Sequence, residues 1–175
     1  MRIYGDVLGG GYGAAPGYDG AHALAGVLSS SRNTPIESIE QIHPHIRMRH
    51  YRLVPDSCGA GEWRGGVGFS RAIEVLEDGV VLSYYSDHFL YPPQGKGGGR
   101  NGATGSLRVW RGDEVLNLPT TDVVALKKGD VVELSVGGGA GWGDPLKRPK
   151  DRVEADLADG IVTSEFARRH YLHVR

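Results

Sequence analysis

The chain has 175 residues, enough for one domain with a buried core, and its 20 basic and 21 acidic residues leave a formal charge of −1 without the broad basic face that nucleic acid requires. Its single cysteine, Cys58, excludes an internal disulfide and a self-contained thiolate zinc site, and no apolar run approaches the ~18 residues of a membrane-spanning helix. A cytoplasmic protein is expected, and the 28 glycines, clustered rather than periodic, point to ordered turns rather than a collagen-like or low-complexity chain.

Met1–Asp6 lacks the apolar stretch of a secretion signal. The cluster Gly9–Gly20 has only Val7-Leu8 ahead of it and a weak helical signal, Ala21–Leu28, behind it, so the strand and helix of a dinucleotide cradle are missing. It is expected to continue a domain whose earlier part lies outside this chain. Thr34-Pro35-Ile36-Glu37 has the pattern of a helix start, with Thr34 as N-cap, Pro35 at the first helical position and Glu37 closing a capping box. Pro44 limits that helix to about two turns. Asn33 and Glu37 remain candidates for groups that support a site from behind. His45–Val54 is expected to be a strand with His45, Arg47, Arg49, Tyr51 and Leu53 on one face, an exposed edge protected by charge. His43-Pro44-His45 has the look of paired metal ligands but lacks a third donor nearby.

Asp56–Gly68 places five glycines in thirteen residues, a density tolerated where the backbone turns through positive φ or where another segment comes too close for a Cβ. Two alternatives stand. The stretch is a polar ledge presenting Asp56, Ser57, Glu62, Trp63 and Arg64 to a ligand, or it is a glycine-rich corner with Arg64 paired to a carboxylate. Cys58, with no cationic run beside it, is expected to pack rather than react. Phe69–Leu76 and Val80–Tyr85 flank Asp78-Gly79 as a hairpin. Ser86-Asp87-His88 follows, and an aspartate-oriented histidine would suit general-base work, although adjacent residues point apart. Pro92–Gly102 is no Walker loop, because Gly95-Lys96 leads into glycines and a strand; an anion-binding nest or a loop packed on the ledge or a partner chain are the alternatives.

Short strands then recur at Ser106–Arg111, Glu114–Leu118, Val123–Leu126 and Val131–Val136, with turns at Gly112-Asp113, Pro119 and Gly129-Asp130. Trp142, in the glycine run Gly137–Gly143, is expected to anchor packing. Arg152–Asp159 reads as a helix closed by Gly160, and Thr163 caps a second helix with Phe166, Ala167 and His170 or Tyr171 inward. Lys147, Arg148, Lys150, Arg152, Arg168, Arg169 and Arg175 make this end basic, in the manner of a solvated helix face. The fold expected is mainly β (α+β): an antiparallel sandwich or barrel-like core with glycine-rich loops and two short C-terminal helices docked on the β core or a neighbouring subunit. It forms a single domain over 1–175, divided into an entry region (1–45), a β core (46–145) and a helical tail (146–175).

Several of these motifs resemble the hydantoinase B/5-oxoprolinase family when taken in order. They are Asn33-Thr34-Pro35-Ile36-Glu37, Tyr51-x-Leu53, the ledge Asp56-Ser57-x-Gly59-Ala60-Gly61-x-x-Arg64-Gly65-Gly66-x-Gly68, Ser86-Asp87, Pro93-x-Gly95, Gly98-Gly99-x-x-Gly102, Gly129-Asp130 and Gly137-Gly138-Gly139-x-Gly141-x-Gly143-Asp144-Pro145. The resemblance implies the C-terminal part of a longer hydantoinase B polypeptide acting beside a hydantoinase A-like partner in a hetero-oligomer that opens cyclic amides with ATP, or, in relatives, carboxylates ketones. It implies no cofactor in this chain, ATP and magnesium on the partner, and a divalent metal in the absent N-terminal part. Asp56, Ser57 and Arg64 would shape the pocket, with Asp87 and His88 as lesser candidates. This chain departs from the family at Cys58, commonly glycine, at His88, where many relatives have arginine, and at Ala25–Ser31, where many show His-x-His-Met-Thr-Asn. These departures leave open a non-catalytic assembly module.

Overall fold

The computed structural model describes residues 3–24 and 34–172. The elements are α1 (Ile36–Ile42), β1 (Ile46–Leu53), β2 (Phe69–Val75), β3 (Val81–Tyr85), β4 (Ser106–Arg111), β5 (Glu114–Leu118), β6 (Thr121–Ala125), β7 (Val131–Ser135), a 3₁₀ turn at Pro145–Lys147, α2 (Lys150–Ala158) and α3 (Ser164–His170). One antiparallel sheet runs β1-β2-β7-β4-β5 and a two-stranded sheet pairs β3 with β6. Val75, Val109 and Leu126 are buried in the core, and Leu82 and Val124 of the small sheet pack on them together with Val132, Leu116 and Leu118 of the large one. The mainly β, α+β class stands, as two facing sheets; they do not close into a barrel. Among the described residues no helix is long and apolar enough to cross a membrane.

The alternation in β4 explains its place: Leu107 and Val109 are buried and Arg108 and Trp110 exposed, as a strand with one face on a core requires. Gly112 and Gly129 supply the positive φ of the turns (59° and 89°) that the sequence marks. The hairpin expected across Asp78-Gly79 does not form. Gly79 does turn at φ 82°, but β2 is hydrogen-bonded on both sides, by β1 and β7, and β3 crosses to β6 instead. Asp78 serves another loop, accepting from the Lys128 amide at 2.9 Å. In β1, a register shift between Met48 and His50 breaks the expected two-face alternation at Arg49. Ile46 and Met48 are buried, and beyond the shift Tyr51 meets Phe69 edge-on at 5.0 Å. β1 is nonetheless a charged edge, as expected. The capping box at Thr34 is also corrected: Pro35 occupies the N-cap position, no side chain caps the helix, and Glu37 is exposed.

Four extended segments, around residues 10–24, 57–68, 93–103 and 137–143, lie side by side and bond laterally through their backbones. Gly139 N–H donates to Gly66 O at 2.8 Å, Gly66 N–H to Tyr12 O at 2.8 Å, Gly59 N–H to Gly139 O at 2.8 Å and Arg100 N–H to Ala60 O at 2.7 Å. The Pro92–Gly102 loop thus packs on the ledge. The approach is so close that a Cβ on Gly139 would overlap the Tyr12 carbonyl oxygen, and one on Gly66 that of Ala21.

The two C-terminal helices dock on this glycine layer rather than on the sheets. Val153, Ala167 and Tyr171 bury against Ala60, and Ile161 and Val162 against Cys58 and Val67, with Leu157 and Phe166 between the two groups. Thr163 caps α3 as expected, accepting from the Phe166 amide at 3.2 Å, and Gly160 takes positive φ (66°) after α2. Replacing Gly139 with alanine is expected to destabilise the fold by about 3 kcal/mol, because the backbone it meets has no room to give. Gly5→Ala, with nothing within 4 Å of the new methyl, is the control and should leave the urea midpoint unchanged.

Candidate functional site

The ledge carries Arg64 inward, not outward. It is 8% exposed, and its Nε donates to Asp156 Oδ1 at 2.7 Å while its backbone N–H donates to Asp19 Oδ1 at 2.8 Å. Arg148, after the turn at Pro145–Lys147, meets the same two carboxylates from the other side. Its Nη1 and Nη2 donate to Asp19 Oδ1 and Oδ2 at 2.8 and 2.9 Å, its Nη2 donates to Asp156 Oδ2 at 2.8 Å, and its Nη1 donates to Glu62 O at 3.1 Å. Two cations and two anions therefore alternate, with planar guanidinium forks matched to carboxylates. At 2% exposure Arg148 is not part of the solvated helix face expected of the basic tail. Arg152 of that tail lies over the Trp63 ring, 4.6 Å from its centroid.

Burial pushes the Asp19 carboxyl up, but the Arg148 and Arg64 guanidiniums outweigh it and hold the group below its usual 3.8. His22 closes the cluster: its Nδ1 accepts from the Val67 amide at 3.0 Å and its Nε2 lies 3.2 Å from Arg64 Nη2. Burial and the Arg64 charge depress its pKa below the usual 6.5, keeping the ring neutral. With its polar groups engaged, this cluster ties the N-terminal segment, the ledge and α2 together. It holds chain; it does not activate a nucleophile.

A cleft of about 390 Å³ opens between the ledge, the Pro92–Gly102 loop and α3, lined by Asp56, Cys58, Asn101, Phe166, Arg169 and His170 among others. Asp56 sits at φ 62°, a conformation aspartate tolerates better than most residues. Its Oδ1 and Oδ2 accept from the Thr163 amide and hydroxyl, both at 2.7 Å, fastening the start of α3. Burial, then the Arg100 and Arg169 charges, lower the His170 pKa, so a neutral imidazole stands beside the Arg169 cation. Burial pushes the Cys58 thiol up to about 12, which makes it a packing residue rather than a thiolate. With Asp56 and Glu165 as well as Arg169 in its lining, the cleft can hold a polar group; it contains no activated nucleophile.

Ser57 faces inward, donating to Val54 O at 2.7 Å and accepting from the Gly68 amide at 2.9 Å. Asp87 accepts from the Tyr85 hydroxyl at 3.1 Å, and His88, at φ 58°, has Nδ1 3.0 Å from Tyr91 O. Among the described residues no hydrogen bond or ion pair joins any two of Asp56, Ser57, Arg64, Asp87 and His88. Sequence reasoning missed Asp19, His22, Arg148 and Asp156, which lie far from Arg64 along the chain; the one signal was the need of a buried arginine for carboxylates. It also missed Arg169 and His170, the latter assigned only to packing. His43 and His45 stack edge-on at 5.7 Å, and among the described residues no three His, Cys, Asp or Glu side chains converge as metal ligands. Asn33, Ala25–Ser31 and Arg175 lie outside the described residues.

A profile described as Hydantoinase B/oxoprolinase matches residues 1–145. A protein of Pseudomonas sp. (strain NS671), provisionally named as the B component of a D-/L-hydantoinase, is 34% identical over 97% of this chain and 29% of its own length. The 5-oxoprolinase PfmaA of Pestalotiopsis fici is 36% identical over 90% of this chain and 13% of its own. Among solved structures, the ATP-dependent caprolactamase from Pseudomonas jessenii superposes with a TM-score of 0.82 at 30% identity, covering 97% of this chain and 30% of that one. A nucleotide-free acetone carboxylase shares the fold, with a TM-score of 0.78 at 21% identity over 93% of this chain and 26% of that one. The chain thus spans less than a third of the length of these relatives.

Asp156→Ala is expected to destabilise by about 3–5 kcal/mol, since it strands Arg64 and part of Arg148 in the interior; chemical denaturation checks this. Because the His22 and Asp19 pKa values are depressed in the fold, their contributions are complete above the unfolded-state values and are lost as pH falls. Unfolding free energy should decline once below pH 6.5 and again below 3.8. His22→Gln should weaken the first decline, which His170 shares, and leave the second.

Proposed function

Because the chain belongs to the hydantoinase B/oxoprolinase family, we propose that it supplies the C-terminal portion of the B component of an ATP-dependent cyclic amide hydrolase. The match over residues 1–145, with the glycine motifs forming one folded layer, carries this reading. In the proposed scheme a hydantoinase A-type partner uses ATP and magnesium to activate the lactam or imide oxygen, and the B component directs water to the activated carbon in a cytoplasmic hetero-oligomer.

The role of this portion in that scheme is to build and hold one wall. Arg64 and Ser57 are engaged in fastening the ledge, which supports a positioning role for both rather than contact with substrate. The groups left to meet a polar substrate are at the cleft: Arg169 as a cation, Glu165 as a carboxyl group, the Asn101 amide, whose Oδ1 already accepts from the Gly95 N–H at 3.0 Å, and His170 as a neutral imidazole that can accept or donate a proton. Asp56 sets the cleft edge through Thr163. Asp87 and His88 lie in the loop after β3, outside this cleft, and their place in the scheme would be at a contact with the rest of the assembly.

Reconstitution with the remaining B portion and an A-type partner should give ATP hydrolysis dependent on hydantoin, 5-oxoproline or caprolactam. Full assembly with no turnover of any cyclic amide would refute the proposal, and bicarbonate-dependent turnover of a ketone would replace it with a carboxylase. Within the active assembly, Arg169→Ala should lower kcat/KM roughly tenfold, equivalent to about 1.4 kcal/mol, with melting unchanged. Arg64→Ala should lose folding and assembly before turnover.

A further inference from the structure

Residues paired across an antiparallel ladder project to the same side. In the small sheet Val81/Ala125, Ser83/Val123 and Tyr85/Thr121 therefore share one face, and Leu82/Val124 and Tyr84/Asp122 the other. Leu82 and Val124 pack on the core, so the first face is turned outward. All six of its residues are exposed and none is charged, with Val81, Val123 and Tyr85 at 60%, 65% and 75%. The chain leaving β3 adds two more exposed large side chains, Leu90 at 73% and Tyr91 at 79%; charge begins only at Asp87, which receives the Tyr85 hydroxyl.

Among the described residues no third strand pairs with β3 or β6. Edge strands that remain in water are protected by charge, proline or a bulge. β1, one of the two edges of the large sheet, follows that rule with Arg47, Arg49, Arg52 and a register shift. β3, Val-Leu-Ser-Tyr-Tyr, follows none of it. β3 thus contrasts with β1, and it borders an uncharged face.

We propose that the β3–β6 sheet is the surface on which the remaining polypeptide of a hydantoinase B-type protein docks, with an extended segment of that polypeptide adding as a strand to one of its edges. This rests on the functional reading above. The occupant follows from proportion and chemistry. In the caprolactamase the same fold accounts for 30% of the chain, so there the fold belongs to a polypeptide with more than twice its own length of additional protein. Permanent contacts of that kind are more apolar than transient ones and leave few charges at their centre. Strand addition supplies main-chain hydrogen bonds at the edge, while alternate side chains fill the face.

The test is site-specific photo-crosslinking in the source cell, with a photoreactive phenylalanine analogue at Val123 and, as a control, at the exposed Glu114 of β5. The expected result is an adduct at Val123, absent at Glu114, with a polypeptide that matches the hydantoinase B/oxoprolinase family outside the portion this chain spans. An adduct at Val123 with a second copy of this chain, or with only an A-type partner, overturns the proposal, as does no adduct. Val123→Lys combined with Tyr85→Lys should reduce co-purification of that polypeptide at least tenfold with the melting curve unchanged; undiminished co-purification of the folded variant also overturns it. If an assembly joined through another face hydrolyses cyclic amides, the docking proposal falls alone. If the Val123 adduct forms and the complete assembly leaves cyclic amides untouched, the functional reading falls alone.

Discussion

Backbone meeting backbone without side chains between is the constraint on which the rest of this structure depends. Where Gly139 faces Tyr12 and Gly66 faces Ala21, the approach leaves no volume for a methyl group, and the amides and carbonyls that would be stranded by such close burial are paired laterally. Glycine is costly in conformational entropy, by roughly 0.5–1 kcal/mol relative to alanine in a regular element. The layer must therefore be held by groups at its margins. Trp63 and Trp142 exchange backbone bonds at one end, and Cys58, Ala60 and Val67 present the small apolar surface on which the helices rest.

The principal fastening is ionic. Arg64 leaves the layer, Arg148 and Asp156 come from the C-terminal region, and Asp19 comes from the opening segment, so three distant stretches are fixed at one point. Buried pairs of this kind contribute little to net stability, since desolvation offsets much of their attraction, while a missing partner is severely penalised. α2 and α3 are too short to persist alone. Anchored by Asp156 and by the Asp56–Thr163 bonds, they settle on the layer, and α3 becomes the wall of the cleft that carries Arg169 and His170.

The two sheets divide the remaining work. The large sheet is finished at β1 with arginines and a bulge, as a surface that stays in water should be, whereas the small sheet covers the core with one face and leaves the other without charge. In the relatives compared, this fold occupies a minor share of a longer chain, and the arrangement agrees with the proposed role of a module that closes one side of a site and joins its neighbours by the other.

The sequence by itself determined what is local. Strands β4 to β7 were legible from alternating apolar residues and glycine turns, the α3 cap from Thr163, the end of α2 from Gly160, and the family from the order of the glycine motifs. Each depends on residues near one another in the chain. Tertiary structure alone decided which strands pair: Asp78-Gly79 makes its turn, yet β2 had both edges taken and β3 found β6. It also decided the part played by Arg64, because a guanidinium's role is set by the carboxylates it meets, and Asp19 and Asp156 reach it only after the glycine layer and α2 have assembled. A turn is written in two residues; a partner across the fold is chosen by the competition of all surfaces for burial.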